Sequence, residues 1–96
     1  MRKILLVGCG HMGSALLNAW YRKKSFKISV VDPKTHKILK RKYTKRLLLY
    51  RSIKEIENIK KFNIIIFAVK PQIAKEIVSQ FYSIDNKNVL FLSIIA

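Results

Sequence analysis

Three glycines near the amino terminus constrain the fold more than any other feature of this 96-residue chain. The segment LLVGCGHMGSALLNAW places them in a G-x-G-x-x-G spacing between a short apolar run and an amphipathic stretch. Gly8 permits a tight turn out of a strand, Gly10 lets backbone approach a ligand without an intervening Cβ, and Gly13 lets the next helix pack close to a sheet. The helix start offers N–H groups and a positive dipole end to phosphate. The pattern predicts a strand, a phosphate-binding turn and a helix.

The same alternation of strand and helix runs through the rest of the chain. Apolar runs predict strands at 3–7, 27–31, 46–50, 62–69 and 88–96. Apolar spacings of three and four predict helices at 11–24, 35–42 and 72–82, with a further helix after the third strand. The run FNIIIFAV shows no alternation, which indicates a strand buried on both faces, as in a parallel sheet covered by helices. We expect one α/β domain over residues 1–96, a Rossmann-type doubly wound parallel sheet of about five strands.

The helix expected after the third strand has a recognisable start. Ser52 and Glu55 have the capping-box spacing, in which the serine caps the helix and the glutamate reaches back to its first N–H groups. Such a helix would direct Ile53, Ile56 and Ile59 toward the core.

The cysteine count and the length of the apolar runs indicate the cellular compartment. Cys9 is the single cysteine, which excludes an intramolecular disulfide and suits a reducing compartment. No apolar run reaches the roughly eighteen residues of a membrane span, and the run before the glycines is too short for a signal peptide. We expect a cytoplasmic protein without a membrane segment.

The net charge of +15 has two interpretations. Eight Lys and Arg lie between Lys34 and Arg51 with no acid among them, interleaved with Tyr43 and Tyr50, as on a nucleic-acid surface. Against this, the chain holds 15 lysines and only 5 arginines, whereas nucleic-acid recognition favours the planar arginine fork. We favour a solvated basic surface, with nucleic-acid binding the less favoured alternative.

A carboxylate completes the dinucleotide pattern. Asp32 ends the second strand nineteen residues after Gly13, where an acid bonds the adenosine ribose hydroxyls. The alternative is a glycine-rich turn without a ligand. Because a carboxylate repels a 2′-phosphate, Asp32 favours NADH over NADPH, although Lys34 and Lys37 soften the repulsion.

Four segments together carry a family resemblance. GCGHMGSALL, VVDP, IIIFAVKPQ and LSIIA resemble, in order and spacing, the N-terminal domain of pyrroline-5-carboxylate reductases. The tetrapeptide from Ala68 to Pro71, followed by Gln72, is the most specific part. The resemblance implies NAD(P)H-dependent reduction of 1-pyrroline-5-carboxylate to L-proline.

The resemblance also assigns positions along the cofactor. Near the pyrophosphate it places Val7, Gly8, Cys9, Gly10, His11, Met12 and Gly13. At the adenosine ribose it places Asp32 and Pro33. Along the cofactor toward the nicotinamide it places Ala68, Val69, Lys70 and Pro71, with residues 93–96 on the nicotinamide side.

The departures from the family pattern affect activity. His11 stands where the family carries Asn or Gln. The resemblance covers about the first third of a full enzyme, without the helical C-terminal domain that forms the dimer and most of the substrate pocket. The sequence suggests no catalytic residue in this chain, and His36 has no partner at metal-ligand spacing. We therefore expect the missing domain, or a second chain, to supply the substrate site; an inactive dinucleotide-binding module or decayed gene product is the alternative.

Overall fold

The computed structural model describes residues 2–43, 47–81 and 90–93. The strands are β1 (Arg2–Val7), β2 (Phe26–Val31), β3 (Leu47–Tyr50), β4 (Ile64–Phe67) and β5 (Leu90–Ser93). The helices are α1 (His11–Trp20), α2 (His36–Lys42) and α3 (Pro71–Ser79). None of the helices in these ranges is long and apolar enough to cross a membrane.

The strands form one parallel sheet in the order β3-β2-β1-β4-β5. The chain winds outward from β1 in one direction through β2 and β3, then returns to the other side for β4 and β5. This topology confirms the predicted Rossmann-type sheet. Val7 pairs with both Val31 and Phe67, so the carboxyl ends of β1, β2 and β4 lie side by side. Ligands bind at such a switch point in doubly wound sheets.

The core lies in two layers, one on each face of the sheet. On the first face Ile4 and Leu6 pack with Leu17 of α1 and Leu39 of α2. On the second face Leu5 and Val7 pack with residues from α3, its C-terminal flank and the connection before β4. Residues 4–7 are therefore buried on both faces, which explains why the strands lack polar alternation. Each fully buried Leu or Ile side chain stabilises the fold by roughly 1.5–3 kcal/mol.

Several predicted elements are longer than the observed ones. α1 ends at Trp20 because the Lys23 N–H donates to the Trp20 carbonyl at 3.0 Å, closing a tighter turn, and the Phe26 N–H then donates to the Lys23 carbonyl at 3.1 Å. β4 forms only over the centre of the predicted strand 62–69. The ends of the predicted fifth strand, 88–89 and 94–96, lie outside the described residues.

The helix predicted after β3 is wrong. Its place is taken by two single 3-10 turns, Ile53–Glu55 and Ile59–Lys61. The Asn58 side chain accepts the Lys60 N–H at 3.1 Å, a donor that a continuous helix would direct to the Ile56 carbonyl. The predicted inward direction of the isoleucines is confirmed. Ile56 is buried in the second core layer, and Ile53 and Ile59 are partly buried and pack against that layer.

Candidate functional site

A crevice of about 280 Å³ opens where the carboxyl ends of β1, β2 and β4 meet. Residues following each of these three strands form its wall. The predicted cofactor residues that line it are Val7, Gly8, Cys9, Gly10, Asp32, Pro33, Ala68, Val69 and Lys70. The parallel sheet thus brings together segments that are far apart in the sequence.

Gly8 turns the chain out of β1 with a backbone φ of +89°, which L side chains rarely adopt. A Cβ at this position would lie 2.7 Å from the Ala68 carbonyl oxygen and 2.7 Å from Val69 Cγ1. The Gly8 N–H donates to the Val31 carbonyl oxygen at 2.8 Å. The turn is therefore fixed to β2 on one side and in contact with the segment after β4 on the other, and only glycine fits there.

Gly10 and Gly13 occupy different environments. A Cβ at Gly10, the residue before α1, would meet no atom within 4 Å, and Gly10 as the N-cap has no side chain to cap the helix. This open position next to the first-turn N–H groups of α1 suits phosphate oxygens. A Cβ at Gly13 would lie 3.0 Å from the Gly8 carbonyl oxygen and 3.3 Å from Ala68 Cβ. Gly13 therefore lies behind the turn and allows α1 to pack closely on it.

Asp32 connects the turn after β1 to the turn after β2. Its Oδ2 accepts the Cys9 N–H at 2.7 Å, and its Oδ1 accepts the Lys34 N–H at 2.9 Å. The Asp32 N–H itself donates to the Tyr50 carbonyl oxygen at 3.1 Å, which ties this turn to β3. Because a carboxylate oxygen has two lone pairs, each oxygen of Asp32 can still accept a hydrogen bond from a ligand in the crevice.

The Cys9 side chain is a buried part of the turn. It is 1% exposed, and its Sγ lies 3.7 Å from the Ser14 hydroxyl, which donates to the Cys9 carbonyl at 3.3 Å. Burial raises the pKa of the Cys9 thiol, and the negative charge of Asp32 acts in the same direction, against the lowering effect of Ser14. The thiol therefore stays protonated at neutral pH and packs as a small residue under the turn.

Some predicted site residues are described only in their backbone. His11 and Met12 begin α1, Pro71 begins α3 and Ser93 ends β5 in register with Phe67. The structure does not describe the side chains of these four residues, and residues 94–96 lie outside it entirely. Their assignment to the cofactor remains a prediction.

The crevice also includes residues that the sequence did not assign to it. Ser52 and Ile53 follow β3, and Ile77 and Gln80 come from α3 and its end. The first two share a detectable signal, because they follow a strand whose carboxyl end lies at the same edge of the sheet. Ile77 and Gln80 reach the crevice only because of the way α3 packs on the sheet, and no local sequence motif predicts that packing.

Comparisons with known proteins agree with this architecture. Residues 3–96 match the family described as NADP oxidoreductase, coenzyme F420-dependent. Among solved structures, SirC, a precorrin-2 dehydrogenase, is similar with a TM-score of 0.59 and 19% identity. The alignment covers 93% of this chain but 43% of that chain, so this chain spans less than half of its length. At this identity the likeness concerns the fold alone. Comparison with curated proteins gives no match.

Proposed function

This chain belongs to the family of coenzyme F420-dependent NADP oxidoreductases, and from that premise we propose that it serves in the reduction of 1-pyrroline-5-carboxylate to L-proline by NAD(P)H. The family match establishes an NAD(P)-type oxidoreductase domain, which pyrroline-5-carboxylate reductases share. The specific substrate is our proposal. It is supported by the AVKPQ segment, residues 68–72, which resembles that enzyme family more closely than the glycines alone do.

The observation that carries the proposal is the meeting of three segments at one crevice. The glycine-rich turn, Asp32 and the segment beginning at Ala68 all line it, although they come from three different strands. The Cβ that Gly8 lacks would collide with Ala68 and Val69, so the turn and the AVKP segment fit each other closely. An ordinary glycine-rich loop would not require this mutual fit.

The described residues suit a dinucleotide. The bound cofactor would supply the hydride for the C=N bond. The open backbone at Gly10 and the start of α1 would hold the pyrophosphate, and the Asp32 carboxylate would accept ribose hydroxyls. Ala68, Val69 and Lys70 would border the half of the crevice toward the nicotinamide.

We further propose that another domain or a second chain holds the substrate. In the family that this sequence resembles, a helical C-terminal domain forms the dimer and most of the substrate pocket. Reduction requires that the substrate be fixed against the nicotinamide, because positioning supplies much of the rate enhancement of a two-substrate reaction.

The test separates cofactor binding from turnover. Calorimetric titration should show that the 96-residue chain binds NAD(P)H, and failure to bind either form would refute the proposal. Reduction of pyrroline-5-carboxylate should not exceed a no-enzyme control for this chain alone, and should appear when the C-terminal domain of a pyrroline-5-carboxylate reductase is added in trans. Turnover by the chain alone would refute the need for a separate substrate domain.

Two further outcomes would redirect the assignment. Binding of NAD(P)H without turnover in either arm would favour the alternative of a dinucleotide-binding module without this activity. Reduction of NADP by reduced coenzyme F420, tested under the same conditions because the family description names that coenzyme, would replace pyrroline-5-carboxylate with a different hydride partner.

A further inference from the structure

We propose that Glu55 is a positioning residue for the dinucleotide, because its carboxylate holds the turn from which Ile53 forms an apolar wall for the adenine base. Among the described residues that line the crevice, Ser52 and Ile53 belong to this turn, and Glu55 is not one of them. Glu55 therefore acts through its neighbours. The inference rests on the proposed function only in that the chain binds a dinucleotide.

The order of the strands identifies the adenine end of the crevice. The glycine-rich turn follows the central strand β1, and Asp32 follows β2, which lies between β1 and β3. With the pyrophosphate at the turn and the ribose at Asp32, the base extends beyond β2 toward the carboxyl end of β3. Ser52 and Ile53 come shortly after that end. The Asp32 N–H, which donates to the Tyr50 carbonyl at 3.1 Å, joins the ends of the two strands.

The apolar side chains of the crevice suit a flat aromatic base. Val31, Ile53 and Ile77 all belong to the second layer of the core and also line the crevice. Ile53 is half-buried, so it packs on that layer and still presents apolar surface to the crevice. Cofactor sites combine such apolar walls with a few fixed polar groups. A base stacked on Ile53 would remove this apolar surface from water, which favours binding.

Hydrogen bonds to Glu55 fix the backbone that carries Ile53. The Glu55 carboxylate accepts the Arg51 N–H and the Ser52 N–H, the second at 3.2 Å. The backbone closes the same turn, because the Glu55 N–H donates to the Ser52 carbonyl at 3.2 Å and the Ile56 N–H donates to the Ile53 carbonyl at 3.1 Å. Both side-chain bonds therefore act on the two residues directly before Ile53.

The turn depends on this carboxylate because it is not the start of a longer helix. It is a single 3-10 turn over Ile53–Glu55. A single turn orders several residues for few hydrogen bonds, so by itself it is marginally stable. The carboxylate of Glu55 supplies the constraint that further helical turns would provide. A wall that is ordered before the base arrives lowers the entropic cost of binding.

Removal of the Glu55 carboxylate tests this role. In Glu55→Ala the turn must become ordered when the dinucleotide binds, and the NADH Kd measured by calorimetry should rise about tenfold. Glu55→Gln should recover most of the loss, because its amide oxygen can accept the same N–H groups. Glu57→Ala makes the same charge change at an exposed residue outside the crevice lining, and it should bind NADH as the parent does.

A second pair of variants tests the apolar contact with a change too small to prevent folding. Ile53→Val removes one methylene from the contact and should raise the NADH Kd by up to about tenfold. Ile59→Val is the matched control, because Ile59 is partly buried against the same core layer but is not in the crevice lining. Its NADH Kd should equal that of the parent.

Nuclear Overhauser effects between NADH and methyl-labelled isoleucines show which half of the dinucleotide lies at the turn. The adenine ring protons should give cross-peaks to the Ile53 methyl groups and none to those of Ile59. In Glu55→Ala the Ile53 cross-peaks should weaken while those of the nicotinamide protons persist, a pattern that a general loss of stability does not produce.

The outcomes separate this inference from the proposed function. Cross-peaks from Ile53 to the nicotinamide protons would overturn it, as would equal NADH Kd values for Glu55→Ala and Glu57→Ala. If the adenine pattern is found but pyrroline-5-carboxylate is not reduced even with the added domain, the role of Glu55 stands and the proposed substrate is wrong. A chain that does not bind NADH would overturn both.

Discussion

Two backbone N–H groups, from Cys9 and Lys34, hold the Asp32 carboxylate at the entrance to the crevice. A carboxylate fixed in this way can accept ribose hydroxyls but repels a 2′-phosphate. Lys34 also lines the crevice and provides a nearby cation. Its side chain is exposed, however, and such pairing contributes at most about 1 kcal/mol. We therefore expect a preference for NADH over NADPH.

Replacing Asp32 tests the cofactor preference. We expect the parent to bind NADH more tightly than NADPH, and Asp32→Ser to close or invert the difference because the repelling charge is gone. Separate titrations with each dinucleotide measure the ratio of the two Kd values. Lys34→Gln is the control and should widen the parent's preference. Tighter binding of NADPH by the parent would show that Asp32 does not face the ribose.

The first two glycines of the turn form a matched pair for a second prediction. Gly8→Ala places a Cβ in a positive-φ conformation and 2.7 Å from the Ala68 carbonyl oxygen. Strain of this kind costs about 1–3 kcal/mol, so urea unfolding should show a loss of at least that size. Gly10→Ala, whose Cβ meets no atom within 4 Å, should change stability little and instead weaken dinucleotide binding. Equal stability losses in both variants would contradict this account of the turn.

At the scale of elements, apolar runs predicted all five strands. The central strands β1, β2 and β4 are buried from both sides of the sheet, whereas the edge strands β3 and β5 leave Leu48 and Leu92 partly exposed. The residues after β1, β2 and β4 were predicted to meet because parallel strands place their carboxyl ends together. The segment from Ser52 to Lys61 was not predictable in this way. Its isoleucine spacing fits a helix, but a local hydrogen bond from the Lys60 N–H to the Asn58 side chain competes with the helical one. Spacing alone does not reveal which bond is formed.

The turn at Ser52 gives a third prediction, on pH. The Glu55 carboxylate accepts the Arg51 and Ser52 N–H groups, and these bonds hold its pKa below the ordinary value. A lowered folded-state pKa contributes stability that is complete above the unfolded pKa, about 4.3, and is lost as the pH falls through the folded value. The parent should therefore lose more stability than Glu55→Gln on acidification from neutral pH, as measured by urea unfolding.

A charge-matched variant controls for general acid effects. Glu57 is exposed and its side chain makes no hydrogen bond within the described ranges. Glu57→Gln should therefore keep the acid sensitivity of the parent. If Glu55→Gln and the parent respond identically to acid, the bonds to Arg51 and Ser52 do not stabilise the fold.

For the whole molecule, the two ends of the sheet have different chemistry. The carboxyl ends of the strands carry the glycine-rich turn and Asp32, whereas Lys3 and Lys27 lie side by side near the amino ends of β1 and β2. The total charge of +15 therefore does not by itself identify a ligand. At the crevice, the position of the Asp32 carboxylate is set by the N–H groups of Cys9 and Lys34.

The last prediction concerns association between copies of the chain. β5 lies at the edge of the described sheet, and its Leu92 is 42% exposed. An edge strand presents unpaired backbone groups to other chains, and an apolar side chain on it favours the contact. Mutual repulsion of the +15 charge opposes association. We therefore expect self-association that increases with protein concentration and with added salt, which screens the repulsion.

Sedimentation velocity at tens of micromolar, on the order at which exposed edges associate, measures this directly. Leu92→Lys should shift the population toward monomer, because it adds a charge to the edge while leaving the pairing with β4 intact. Ile38→Lys, the same charge change at an exposed apolar residue of α2 rather than of a sheet edge, is the control and should leave the association unchanged. A single monomeric species at every concentration and salt would rule out β5 as an associating edge, and an equal effect of both variants would show that net charge, rather than this strand, governs association.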